Sequence, residues 1–286
     1  MIRISTDSTS DLDYLYKEKG VAVMPICVVL DGNMYSDGVD IFPQDIYDHV
    51  EKTGNLPKTS ARNTFDYKEF FTDLTKDGDT LIHIAFSSGL STCCNCAIEA
   101  ANEVGNVYVV DTKSLSTGCG LLVMKACDLL DQGKSAQEIV DVLNDCAEKV
   151  QASFIVSTME YLYKGGRCSK LASVFASALK IMPSLYLKDG KIAVGKKYMG
   201  NVLKNADKYV LDTLKKHNKY DKRRAFITFT EGTDERIVKK VVDVLKANSD
   251  FEEVICTHAG ATVTCHCGKG TIGVLFIDEE LPVSEE

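Results

Sequence analysis

Apolar and polar positions alternate in short blocks through the first half of the chain. An apolar run at 2–6 predicts a strand. The polar Asp7-Ser8-Thr9-Ser10 after it predicts a loop capping a helix over 11–19, which Gly20 ends. Residues 21–30 read as one strand, and Asp31-Gly32-Asn33 as a turn that lets 33–36 pair back. Helices are predicted over 43–51 with Pro43 in the first turn, over 64–76 up to Asp77-Gly78-Asp79, over 88–104 and over 116–132. Buried strands at 80–86 and 106–110 lie between them. A helix over 135–150 follows, with Ser135 as N-cap and Glu138 in capping-box position.

The rhythm then changes. A strand at 152–157 and a helix at 170–179 precede two apolar runs, 181–187 and 191–198, that flank Lys188-Asp189-Gly190. That is a strong hairpin signal, and an adjacent antiparallel pair fits poorly in a doubly wound parallel sheet. Helices at 201–217 and 233–247 and strands at 224–230, 253–258 and 271–277 complete the pattern. The expected architecture is two α/β domains, 1–151 and 152–286. The first has a mostly parallel sheet flanked by helices; the second has a mixed sheet with helices.

The chain has 286 residues, 45% of them hydrophobic, which suits a well-packed core rather than disorder. Its net charge of −8, from 41 acidic and 33 basic residues, argues against nucleic acid or an anionic membrane as a partner. The 11 cysteines, odd in number and set mostly in apolar segments, point to reduced thiols and a cytoplasmic location. No signal-peptide pattern and no membrane span are expected.

Three polar loops follow predicted strands and precede predicted helices: 7–10, Ser87-Ser88-Gly89-Leu90-Ser91, and 111–116. In an open α/β sheet such loops gather at the carboxyl ends of the strands, where ligands bind. Hydroxyls beside free helix N-terminal amides favour an anion, although the same residue types are ordinary N-caps. Leu56-Pro57-Lys58-Thr59-Ser60 forms a further loop between two helices. The segment 161–169 sets Gly165-Gly166 beside Arg167, which can meet a carboxylate in bidentate fashion. His266 stands near Gly268 and Gly270 as a donor to an anion.

Other chemistries fit less well. Cys93 and Cys96 form one C-x-x-C, but the spacing to Cys265 and Cys267 is wrong for paired zinc knuckles, and no metal is expected. Neither a G-x-S-x-G elbow nor a Walker A loop is present, and Gly118-Cys119-Gly120 is too short for a nucleotide loop. A hydrolase built on Ser88 or Ser91 with His266 and Asp111 remains the alternative. A polar-anion binder and a thiol sensor are further options.

Taken in order, TDSTSDL at 6–12, PKTS at 57–60, SSGLS at 87–91, VDTKSLSTGCG at 110–120, YLYKGGRCSKL at 161–171, LKIMPSLYLKDGKI at 179–192 and the histidine–glycine segment at 266–270 resemble the DegV family. The resemblance spans about 1–278. It implies a non-enzymatic protein that holds a long-chain fatty acid such as palmitate between its two domains, without cofactor. It also implies presentation of that acid to a separate ATP-dependent fatty acid kinase in a bacterial cytoplasm. Transient membrane contact would accompany such a cargo. By the same resemblance the carboxylate falls to Thr59 and Ser91, with Ser60, Ser88, Arg167 and His266 around it. An apolar tunnel is expected from Phe86, residues 26–29, and Leu171, Val174, Phe175 and Leu179. The chain departs from the family pattern at Ala61-Arg62, Thr92, Cys267, Lys269 and Met199. Met199 stands where the family carries an arginine that resembles a kinase-docking residue.

Overall fold

The structure, a computed structural model, describes residues 1–168 and 181–280. The helix expected over 170–179, and the tunnel positions Leu171, Val174, Phe175 and Leu179 within it, lie outside the described residues.

Strand β1 (Ile2–Asp7) ends in a 3-10 turn (Ser8–Ser10), and helix α1 is a single turn (Leu15–Glu18). The helix expected over 11–19 is cut short because Asp11 and Asp13 take left-handed backbone angles, with φ of 51° and 48°. The strand expected over 21–30 is two strands, β2 (Ala22–Met24) and β3 (Cys27–Leu30), in different sheets. Pro25, which has no N–H to give a ladder, lies between them. Then come β4 (Asn33–Ser36), α2 (Pro43–Thr53), β5 (Lys58–Ser60), α3 (Thr64–Thr75), β6 (Thr80–Ala85), α4 (Cys93–Val104) and β7 (Val107–Asp111). Helix α5 spans Thr117–Asp131. Helix α6 (Ala136–Ala147) starts with the Ser135/Glu138 capping box and ends early enough for β8 (Val150–Ile155) to begin at residue 150.

After α7 (Glu160–Lys164), strands β9 (Ile181–Lys188) and β10 (Lys191–Met199) form the expected hairpin. Asp189 and Gly190 both have positive φ, as a tight hairpin turn requires. The remainder is α8 (Val202–Lys216), β11 (Tyr220–Phe229), α9 (Glu235–Asn248), β12 (Glu253–His258), α10 (Ala261–Cys267) and β13 (Ile272–Asp278).

The first sheet, β2-β1-β6-β7, is parallel throughout. The second, β10-β9-β8-β13-β11-β12, is antiparallel except for its β11–β12 edge. In the small antiparallel sheet, β4-β3-β5, the β3–β4 pairing is the one expected at the Asp31-Gly32-Asn33 turn, whereas β5 was not expected from the sequence. These are two α/β domains, and the boundary expected at 151/152 falls inside β8.

Helix α5 lies between the two large sheets. Its residues Leu121, Leu122, Val123 and Met124 share one buried cluster with Ile82, Ile84 and Val110 of the first sheet and Ala152, Phe226, Leu275 and Ile277 of the second. A helix apolar on most of its circumference belongs in such a place. Gly118 and Gly120 serve this packing. A Cβ at Gly118 would meet the Ser114 hydroxyl at 2.0 Å, and one at Gly120 would meet Leu12 at 2.6 Å.

Candidate functional site

Thr59 stands on β5, opposite Val28 of β3. The loop expected around it is therefore partly strand, which fixes its side-chain direction. His266 stands in the last turn of α10. Thr59 Oγ1 and His266 Nε2 lie 2.8 Å apart in a hydrogen bond that joins residues 207 positions apart. The opposite ring nitrogen, Nδ1, is buried and has no hydrogen-bond partner among the described residues. Burial, with the Arg167 charge acting in the same direction, pushes His266 down to about 4. The ring is therefore neutral at neutral pH.

The two glycines of GGR have separate reasons. A Cβ at Gly165 would come within 2.5 Å of His266 Nδ1, so that position must be bare for the ring to pack. Gly166 has φ of 71°, which turns the chain after α7. Arg167 is exposed, and its Nη1 donates to the Gly165 carbonyl at 2.8 Å. Its charge reaches His266 although its fork is not buried.

The SSGLS loop is more elaborate than a helix start. The helix expected from 88 begins at Cys93, five residues later. Ser91 Oγ accepts from the Cys93 N–H at 3.3 Å, so this hydroxyl both caps α4 and keeps its own proton to donate. Among the described residues no hydrogen bond joins Ser91 to Thr59 or His266. The two segments are neighbours nonetheless, since Ala61, just past β5, packs on the cluster containing Cys93. Ser88 is exposed, and its hydroxyl donates to Asp111 at 2.5 Å. Ser60 is exposed next to Thr59 on β5, and alternation turns it to the opposite face.

Two contacts place the SSGLS loop against the β9–β10 turn. Ser87 Oγ donates to the Gly190 carbonyl at 2.8 Å, and a Cβ at Gly89 would lie 2.5 Å from that same oxygen. From the other side, Asp7 holds the loop entrance. Its carboxylate accepts from the Phe86 N–H at 2.8 Å and from the Tyr67 hydroxyl at 2.5 Å. Nothing in the local sequence around Asp7 marks this role beyond its place at the end of a strand. Gly89 and Leu90 face Gly165, Gly166 and Arg167 across a cleft of about 750 Å³.

An apolar cluster is built from the same segments. Phe86 and Leu90 pack with Leu115, Phe154, Val156, Leu162, Leu185, Ile192, Val263 and Cys267. Phe86 packs against this cluster from the loop that follows β6. Ile26 packs with Tyr67 and Phe71, and Val28 with Ile41 and Ile46.

The departures from the family pattern have local partners. Arg62 Nε donates to the Pro25 carbonyl at 2.6 Å and Nη2 to Ser36 Oγ at 2.8 Å, which ties β5 to the β2–β3 link and to β4. Thr92 is the N-cap residue of α4 with an ordinary φ of −81°. Lys269 places its ammonium 5.7 Å from the centre of the Tyr47 ring. Met199, at the end of β10, is 61% exposed.

Among the described residues no triad forms around His266. Its Nε2 meets Thr59 rather than a serine, its Nδ1 meets no carboxylate, and Asp111 is engaged by Ser88. Among the described residues no group of three His, Cys, Asp or Glu side chains comes together as a metal site. Burial pushes the Cys94 and Cys267 thiols up to about 12. Among the described residues no helix is long and apolar enough to cross a membrane.

Comparison with known proteins identifies the family and the fold. A family model described as "Uncharacterised protein, DegV family" matches residues 1–279. A DegV domain-containing protein of Caldanaerobacter subterraneus is 29% identical over 279 residues, 96% of this chain and 98% of its own. One from Staphylococcus aureus is 30% identical over 278 residues, 96% and 98% of the two chains. Among solved structures, a fatty-acid-binding DegV family protein from Thermus thermophilus superposes with a TM-score of 0.86 at 30% identity, covering 97% of this chain and 99% of that one. A DegV lipid-binding protein from Thermotoga maritima gives 0.84 at 26% identity, covering 98% and 99%. DegV of Bacillus subtilis, a fatty-acid-binding protein, gives 0.84 at 25% identity, covering 97% and 99%. With the family pattern matched over almost its full length, this chain belongs to the DegV family.

Proposed function

We propose that this chain binds one long-chain fatty acid, with its carboxylate at Thr59 and Ser91 and its acyl chain in the apolar cluster around Phe86, Phe154 and Leu185. The observation that carries this reading is the Thr59–His266 hydrogen bond, made across the boundary between the two domains. Solved relatives of the same fold that are described as fatty-acid-binding support it.

The chemistry follows from the hydroxyls. With the neutral ring protonated on Nε2, Thr59 Oγ1 accepts from His266 and its own proton is free for a carboxylate oxygen. Ser91 Oγ accepts from the Cys93 N–H and likewise has a proton to give. A buried carboxylate without such donors would be very costly. Arg167 supplies the positive charge that the neutral histidine does not. In the apolar cluster each buried CH₂ contributes ~0.8 kcal/mol, so a palmitate-length chain gains on the order of 10 kcal/mol before ordering costs.

In this reading the chain performs no reaction alone. A partner kinase brings ATP, a carboxylate oxygen attacks the γ-phosphorus, and acyl phosphate and ADP result. Arg167, exposed and with its charge acting on His266, would meet the incoming phosphoryl group in this reading. Met199 lacks a guanidinium to clamp a partner, so a kinase surface here would use other contacts.

The test is denaturing extraction of the purified protein followed by mass spectrometry. About one palmitate- or oleate-sized acid per chain is expected. Thr59→Ala combined with Ser91→Ala should leave a folded protein with little bound lipid. A full lipid load in that double variant would remove both residues from the head-group site.

A further inference from the structure

Three carboxylates from the loops of the first domain accept a run of backbone N–H groups from the second. His258 N–H donates to Asp13 Oδ2 at 2.9 Å, Gly260 N–H to Asp11 Oδ1 at 2.8 Å, Ala261 N–H to Asp37 Oδ1 at 2.8 Å and Thr262 N–H to Asp37 Oδ2 at 3.2 Å. Asp11 and Asp37 are buried. Burial pushes the Asp11 carboxyl well above its ordinary range, while the Ser116 hydroxyl and the Gly260 N–H act in the opposite direction.

The surroundings are built for this contact. A Cβ at Gly260 would stand 3.3 Å from Asp11 Oδ1 and 3.2 Å from Asp37 Oδ1, so a bare residue lets both carboxylates close on the backbone. Asp11, Asp13 and Ser116 all hold positive φ angles, which non-glycine residues seldom adopt. Ser116 Oγ donates to Asp11 Oδ2 at 2.5 Å. Ser8 Oγ donates to Asp37 Oδ2 at 2.9 Å and accepts from the Ile26 N–H at 3.1 Å. Ile26 immediately precedes β3, the strand that pairs with β5.

Asp37 is therefore connected to both halves of one hydrogen bond. Through Ser8 and Ile26 it reaches the small sheet that carries Thr59. Through Ala261 and Thr262 it grips the helix that carries His266. We propose that Asp37, assisted by Asp11, is a positioning residue of the head-group site, setting His266 Nε2 against Thr59 Oγ1 and so setting the affinity for a carboxylate. This rests on the head-group reading given above. Neither aspartate touches the ligand; both act by holding the helix.

The experiment follows the imidazole of His266 by NMR titration and, on the same delipidated samples, the binding of oleate. The samples are the full chain, Asp37→Ala, Asp37→Asn, Asp11→Asn and Asp79→Ala. Asp37→Ala should free the helix, moving the His266 midpoint from about 4 toward the ordinary 6.5. It should also weaken oleate binding about tenfold, as loss of a charge-assisted contact does. Asp37→Asn keeps one carbonyl acceptor and should fall between, and it carries the test if Asp37→Ala does not fold. Asp79→Ala loses the distant pairing with Arg3 and the N-terminal amine and should leave both readouts at the wild-type value. Unchanged His266 midpoint and oleate affinity in folded Asp37 variants would overturn the positioning role. A moving midpoint in a protein that never binds oleate would keep the His266 contact under Asp37 control but overturn its role in carboxylate affinity, and with it the head-group reading.

Discussion

His266 is held neutral by what surrounds it, and that has a direction in pH. Its folded value of about 4 lies below the ordinary 6.5, so protonation favours the unfolded chain. The neutral ring costs nothing above pH 6.5. As the pH falls from 6.5 to 4 the unfolded state takes up a proton that the folded state refuses, and stability drops. His266→Gln should lack that component. Urea midpoints measured for both proteins from pH 7 to 4 should converge as the pH falls, the wild type losing more; parallel curves would show that the ring is not sealed. At this scale the sequence was partly readable. Thr59 and Ser91 were singled out by the family resemblance, and His266 by that resemblance and by its place near Gly268 and Gly270. Asp37 did not, because a carboxylate aimed at amides more than 200 positions away leaves no local pattern.

Among the elements, those with strong periodicity or caps were readable: α6 by its capping box, β9 and β10 by the turn between them. The small sheet was readable only at its β3–β4 turn. Its strand β5 has three residues, too few to show alternation, and its strand β3 reads as a continuation of β2 until Pro25 is given its due. The proposed head-group site uses the missed strand, since β5 orients Thr59. The SSGLS loop shows the opposite case, where one small residue allows two elements to meet. Gly89→Ala would drive a Cβ to within 2.5 Å of the Gly190 carbonyl, a backbone atom that cannot swing away. A loss of about 1–3 kcal/mol is expected from such overpacking. Chemical denaturation should read it as a lower midpoint together with weaker lipid retention. A midpoint equal to wild type would mean that the loop does not dock on the hairpin in solution.

For the whole molecule, alternating strands and helices were enough to reach two α/β domains, but not to see that the domains share a core. Helix α5 is covered by the first sheet on one side and by Ala152, Phe226, Leu275 and Ile277 on the other. A fragment of residues 1–151 should therefore expose an apolar face of α5 and be recovered as aggregate or as a loosely packed species that binds a hydrophobic dye. A monomeric fragment with sharp, dispersed NMR signals would show that the second sheet is dispensable to α5.

The order of the second sheet also bears on how the chain is made. Strand β13 is the last of its sheet in the chain, yet it sits between β8 and β11. A ribosome releases the whole first sheet once β7 is out, then must add every residue through β13 before the second sheet can close its middle. At bacterial synthesis rates that interval is on the order of ten seconds or more. Throughout it, one flank of α5 is bare and the strand that will cover it does not yet exist. The nascent chain thus carries its greatest risk of sticking to its neighbours late in translation, after its first half has already taken shape.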